Sequence, residues 1–121
     1  MRKYSDFLMV LLLATFTLPA QRRMEWLDRG LMAVPDKSGH LFVSWRLLGT
    51  EDPATAFNLY RTSAGKTVKL NQQPVDKVTS FIDNTADITQ TNLYTVKAIL
   101  KQKEEKTGSS YTVPANPKPY L

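Results

Sequence analysis

His40 is the only histidine in the sequence, and histidine is the side chain best suited to acid–base or metal chemistry near neutral pH. A His-activated nucleophile or a multi-His metal site needs partners that one ring cannot supply. At the mouth of an extended run, His40 is expected to be a surface residue. Cysteine is absent, which removes thiolate ligands, a thiol nucleophile, disulfides and a lipid-modified cysteine. Asp83 and Asp87 are four apart and Glu104 and Glu105 are adjacent, yet neither pair lies in the acidic, Gly-containing type of loop that cages calcium. Carboxylate pairs also carry out glycoside hydrolysis, but nothing in the spacing singles one out. No glycine-rich phosphate loop is present. The residues therefore assign no catalytic, cofactor-binding or metal-binding position and call for no cofactor on this chain.

Binding chemistry has more material. Trp26, Tyr60 and Tyr111 could stack on sugar rings, because an aromatic face suits the apolar face of a pyranose. The same side chains serve equally well to cover a core or meet a neighbouring domain, and that structural role is the expectation for all three. A net charge of +5 suits nucleic acid, acidic polysaccharide or anionic membrane. The charges are scattered, however. The densest run, residues 101–106 (KQKEEK), mixes signs and reads as a solvated turn, not as the clustered Lys and Arg of a nucleic-acid stripe. No nucleic-acid partner is expected.

The elements that must position these residues are short. With 121 residues, 42% hydrophobic and 22% charged, the chain has the size and make-up of one small globular domain. Residues 1–20 have the layout of a signal peptide: Arg2 and Lys3, an apolar run over 7–16, then Leu18-Pro19-Ala20 as a cleavage site. The apolar run is shorter than the roughly 20 residues of a membrane span. A secreted or periplasmic protein follows, with no membrane partner. Residues 21–113 form the domain. Extended runs are expected at 31–34, 40–50, 56–61, 66–70, 80–83, 92–100 and 110–113, separated by Gly-, Pro- and Asn-containing turns. About seven short strands without a helical period make an all-β, antiparallel, immunoglobulin-like sandwich. Residues 114–121, PANPKPYL, carry three prolines and read as a stiff linker.

The run at 40–50, HLFVSWRLLGT, is expected to be the core strand. Leu41, Val43, Trp45 and Leu47 share one face, with Phe42, Ser44 and Arg46 on the other. The two Lys residues of KTVKL (66–70) mark an edge strand. Tyr94, early in the sixth run, stands where sandwich domains keep a corner tyrosine whose hydroxyl bonds back to the main chain.

MEWLDRGLMAV (24–34), FVSWRLLGTE (42–51) and AFNLYR (56–61) together resemble the N-terminal β-domain of rhamnogalacturonan lyases of polysaccharide lyase family 11. KLNQQPV (69–75), SFIDNT (80–85) and YTVKAI (94–99) extend the similarity over almost all of residues 21–113. The ordered set LDRG, SWRLLGT and FNLYR is the specific part. The resemblance implies a fibronectin type III-like sandwich that precedes a large calcium-binding propeller, which cleaves the rhamnogalacturonan I backbone of pectin by β-elimination. The family's acidic calcium loops have no counterpart in this sequence, so no catalytic or metal residue transfers, and calcium is expected only in the catalytic domain. PKPYL falls about where the family's linker into the propeller begins. The expectation is thus an accessory sandwich of a secreted rhamnogalacturonan lyase without its catalytic domain, inactive alone, with the propeller as partner. The alternative is a stand-alone module that binds pectic or other acidic polysaccharide.

One stability prediction follows from the run at 40–50. Trp45→Ala should cost about 3–5 kcal/mol if the ring is buried, read as a lowered urea midpoint; an unchanged midpoint would show the strand to be misplaced.

Overall fold

The computed structural model describes residues 28–120. The signal peptide expected at 1–20 and the aromatic Trp26 lie outside the described residues. All regular structure among the described residues is β: β1 (Met32–Pro35), β2 (Leu41–Ser44), β3 (Ala56–Ser63), β4 (Lys66–Lys69), β5 (Ser80–Asp83), β6 (Asn92–Leu100), β7 (Lys103–Glu104) and β8 (Ser109–Val113). One sheet has the order β1-β2-β5. The other has the order β4-β3-β6-β7, with β8 also paired to β6. Every pairing between these strands is antiparallel, and the two sheets enclose one core, as the alternating runs require.

The core follows the period of two. β6 buries Asn92, Tyr94, Val96 and Ala98 and turns Leu93, Thr95, Lys97 and Ile99 outward. β2 buries Leu41 and Val43. Trp45, just past its end, is 3% exposed and meets Phe57 edge-on, with ring centroids 5.6 Å apart. Its indole N–H finds no acceptor among the described residues, so the ring contributes by apolar contact. The alternation stops there. Leu47, expected inward, is 37% exposed, because the chain leaves the sheet after Ser44, where Trp45 N–H donates to Thr79 O and Arg46 N–H to Arg29 O. β4 is an edge strand, as its lysines indicated.

The strand count is eight because the last strand is interrupted. Glu104 pairs with Ile99 and Ser109 with Val96, so five steps on this strand span three on β6 and two residues are looped out, a large bulge. The bulge closes tightly: a Cβ on Gly108 would lie 2.1 Å from the carbonyl oxygen of Val96. The proline-rich segment does not leave the domain freely. Asn116 N–H donates to Ile88 O at 2.7 Å and Tyr120 N–H to Pro35 O at 2.9 Å.

Gly108→Ala should therefore destabilise the domain by about 1–3 kcal/mol through backbone displacement. Chemical denaturation would measure this, and a neutral result would mean that the bulge is loose.

Candidate functional site

Polar side chains gather at three places, each built from residues far apart in sequence. The first lies between the sheets. Arg61 on β3 and Tyr94 on β6 are direct cross-strand partners, and both point inward to Asp83 on β5 of the opposite sheet. The Arg61 guanidinium donates to Oδ1 and Oδ2 of Asp83 at 2.7 and 2.6 Å, and Tyr94 Oη donates to Oδ2 at 2.6 Å. Thr85 N–H and Oγ1 add two bonds to Oδ1, each 3.1 Å. Asp83 is 1% exposed. Burial pushes its carboxyl up, but the bonds from Arg61, Tyr94 and Thr85 outweigh this and hold it below the usual range. Burial and the same carboxylate push the Tyr94 phenol well above its ordinary value. The expected corner tyrosine is thus corrected: its hydroxyl bonds a side-chain carboxylate across the sandwich instead of nearby main chain.

The second cluster closes one end of the sandwich and joins the sequence motifs DRG and WRLLGTE. Arg29, 4% exposed, pairs through both terminal nitrogens with Glu51, one bond being 2.6 Å. Its guanidinium also lies 4.9 Å from the centre of the Phe57 ring, a cation–π contact. Glu51 Oε1 in turn accepts Leu48 N–H. The bond from Arg29 holds the Glu51 carboxyl below its ordinary value, against an opposing push from burial. Arg46 reaches back to donate to Asp28 O at 2.7 Å. Gly30 sits between, with a φ of +64° that favours glycine, and a Cβ there would lie 3.0 Å from Arg46 Nε, so the arginine would have to shift. An open groove of about 820 Å³ lies over this pair, with Leu48, Thr55, Leu100 and Glu105 on its walls. Its charged floor is neutralised internally, and Thr55 Oγ1 donates to Asp52 O.

The third cluster is on the outer face of the larger sheet. Glu104 accepts from Asn58 Nδ2 and Tyr60 Oη, both at 2.6 Å. Those two bonds, the tyrosine's first, lower its carboxyl from the ordinary value, and Glu104 pushes the Tyr60 phenol up to about 12. Lys97 Nζ stands 5.3 Å from the centre of the Tyr60 ring and 3.8 Å from Glu104 Oε1. Where β4 ends, Asn71 Oδ1 replaces a main-chain acceptor for Leu59 N–H, and its Nδ2 donates to Asn58 Oδ1. Asn58, although it lies on the face opposite Phe57 and Leu59, is consequently 5% exposed.

The residues singled out by sequence are dispersed among these clusters. His40 is a hairpin residue whose Nδ1 lies 3.8 Å from Asp36 Oδ2. Asp83 and Asp87 serve different sites: Asp87 bonds Thr89 on an exposed turn. Glu104 and Glu105 diverge, Glu104 to Tyr60 and Glu105 to the main-chain N–H of Ala98 at 2.8 Å. The run KQKEEK is therefore more than a solvated turn. Tyr60 has its hydroxyl engaged by Glu104 and a lysine over its ring, while Tyr111 is 39% exposed beside β6. Among the described residues no three His, Asp or Glu side chains are grouped as a metal site would need. Arg29 was missed by sequence reasoning; a charged residue before a turn glycine gives no sign of burial until its partner, 22 positions away, is known.

Comparison with known proteins adds the family dimension. The family model described as the rhamnogalacturonan I lyase beta-sheet domain matches residues 22–114. The rhamnogalacturonan exolyase YesX of Bacillus subtilis is 44% identical over 95 residues, which is 78% of this chain and 14% of that protein. The rhamnogalacturonan endolyase YesW of the same organism is 39% identical over 115 residues, 91% of this chain and 17% of that protein. The chain thus spans less than a fifth of the length of either relative. Among solved structures, an Fn3-like protein from Clostridium thermocellum superposes with a TM-score of 0.56 at 20% identity, covering 75% of this chain and 93% of that one. A myokine structure gives 0.57 at 14% identity, over 74% and 94%. The likeness to the Fn3-like protein shows a fibronectin type III-like fold.

The Asp83 site has a pH signature. Its folded pKa lies below the unfolded value of about 3.9, so its stabilisation is complete above that value and is lost as pH falls through the folded pKa. Asp83→Asn should cost about 3–5 kcal/mol near pH 7, and the gap to wild type should narrow below about pH 4. Urea midpoints between neutral and acid pH test this; a gap independent of pH would exclude a charged Asp83.

Proposed function

We infer the role of this chain from one premise: it belongs to the family of rhamnogalacturonan I lyase beta-sheet domains. The role is that of the accessory sandwich of a secreted rhamnogalacturonan lyase, which packs against the catalytic part of such an enzyme and performs no chemistry itself. Secretion is supported by the signal-peptide layout of residues 1–20 and by relatives named for a pectic polysaccharide substrate.

The observation that carries the reading is where the chain's charged groups are used. Arg29, Glu51, Arg61, Asp83 and Glu104 are each committed to a partner within the sandwich. β-Elimination from a uronate needs its carboxylate neutralised, so that the adjacent C–H becomes acidic, and a base within reach of that proton. A carboxylate held low by an arginine is a poor base, and an arginine bidentate to a glutamate has no free fork for a substrate carboxylate. In the enzyme that work falls to the larger part of the relatives' length.

Purified chain incubated with rhamnogalacturonan I and calcium is expected to release no unsaturated, ultraviolet-absorbing product, and affinity electrophoresis in the same polymer to show no retardation. Product formation would overturn the accessory reading. Retardation without product would favour a polysaccharide-binding module instead.

A further inference from the structure

The outer faces of the two sheets differ in kind. On the larger sheet that face is polar: Thr62 pairs with Thr67 and Thr95 with Ser110 through their hydroxyls, at 2.7 and 3.0 Å, and Lys69 and Lys97 stand beside Tyr60. On the three-stranded sheet it is apolar. Phe42 on β2 is the direct cross-strand partner of Val34 on β1 and of Ile82 on β5, so the three side chains form one row across all three strands. Met32 lies beside the row, two residues along β1. Met32 is 45% exposed, Phe42 38% and Ile82 60%. A row that joins three strands is a patch, unlike the isolated surface hydrophobics any protein carries.

From this row we infer that the outer face of the β1-β2-β5 sheet is where the sandwich docks, in cis, onto an apolar surface of the catalytic part of a rhamnogalacturonan lyase. The inference rests on the accessory role proposed above and adds the face that performs it. Size selects a tethered occupant. Three strands of four residues make a face roughly 13 Å by 10–14 Å, well short of the ~800 Å² per partner that a stable association between free proteins buries. A second copy, or any untethered protein, would gain too little here. A covalently joined domain needs far less area, because the linker supplies a high effective concentration. The chain's course supplies the tether's position: Tyr120 N–H is bonded to Pro35 O, and Pro35 follows Val34 on β1. Polypeptide joined beyond residue 120 would start at the rim of the apolar row. The matched segment is 14% and 17% of its relatives, so most of each lies in covalently attached chain.

The test is a chimera in which this chain replaces the matched segment of the Bacillus subtilis endolyase YesW, followed by calorimetry and compared with the isolated chain. In the chimera the sandwich should unfold several degrees above the isolated chain or together with the remainder. Phe42→Lys and Ile82→Lys should return it to the isolated chain's midpoint, while Thr95→Lys on the opposite face should not. Each variant is also melted as an isolated chain, so that a loss of intrinsic stability is subtracted. Coupling that survives both face variants, or that Thr95→Lys abolishes, would overturn the assignment of the face alone. A wild-type sandwich that melts in the chimera as it does alone would overturn the accessory reading and this inference with it. A tight dimer of the isolated chain, broken by Ile82→Lys in sedimentation, would give the face to a second copy.

Discussion

A carboxylate with almost no exposure, Asp83, ties the two sheets together, and the rest of the sandwich is arranged so that it can stay charged. Dispersion and hydrophobic burial hold sheets face to face but fix their sliding position weakly, since Leu, Val and Ala tolerate small displacements. Arg61 and Tyr94 reach Asp83 from two neighbouring strands of the opposite sheet. Bonds of that length tolerate little displacement in any direction. The ion pair is not where the domain's net stability comes from, because desolvation of such a pair roughly cancels its attraction. Its contribution is to penalise alternative packings, each of which would leave a charge buried without a partner.

Much of this architecture was legible in the sequence, and the limits have a common physical cause. All seven expected runs fall on observed strands, only the two-residue β7 being unforeseen, and the buried faces of Leu41, Val43 and Trp45 were read correctly. Properties set by distant partners were not readable. The burial of Asn58 depends on Asn71 and Glu104, 13 and 46 positions away, which converge on it. Tyr94 looked like a corner tyrosine because the sequence cannot show which oxygen lies within reach. KQKEEK looked like a solvated turn because charge pattern does not reveal that two adjacent glutamates go to opposite sides of the sheet. Leu47 looked buried because a period of two says nothing about where the chain leaves its sheet.

The cluster around Arg29 also brings the marker motifs into contact. LDRG, SWRLLGT with the Glu51 that follows it, and FNLYR are separate in sequence but meet in pairs: Arg29 with Glu51, Arg46 with the carbonyl of Asp28, Gly30 under Arg46, and Phe57 beneath Arg29. Each is a lock for another. A motif set of this type is a signature of the scaffold, and it identifies the family without implying that any of its residues touches substrate.

The interrupted last strand carries a rule about length. Two extra residues between Glu104 and Ser109 leave β8 in phase with β6, so Val113 still faces the core and Ser110 still faces out. Side-chain direction in a strand has parity, and only an even change preserves it. Insertions and deletions in the 105–108 loop are therefore tolerated in twos: loss of one residue would invert the inside and outside of everything from Ser109 to Val113, while loss of two would close the bulge into an ordinary ladder with Glu104 still opposite Ile99.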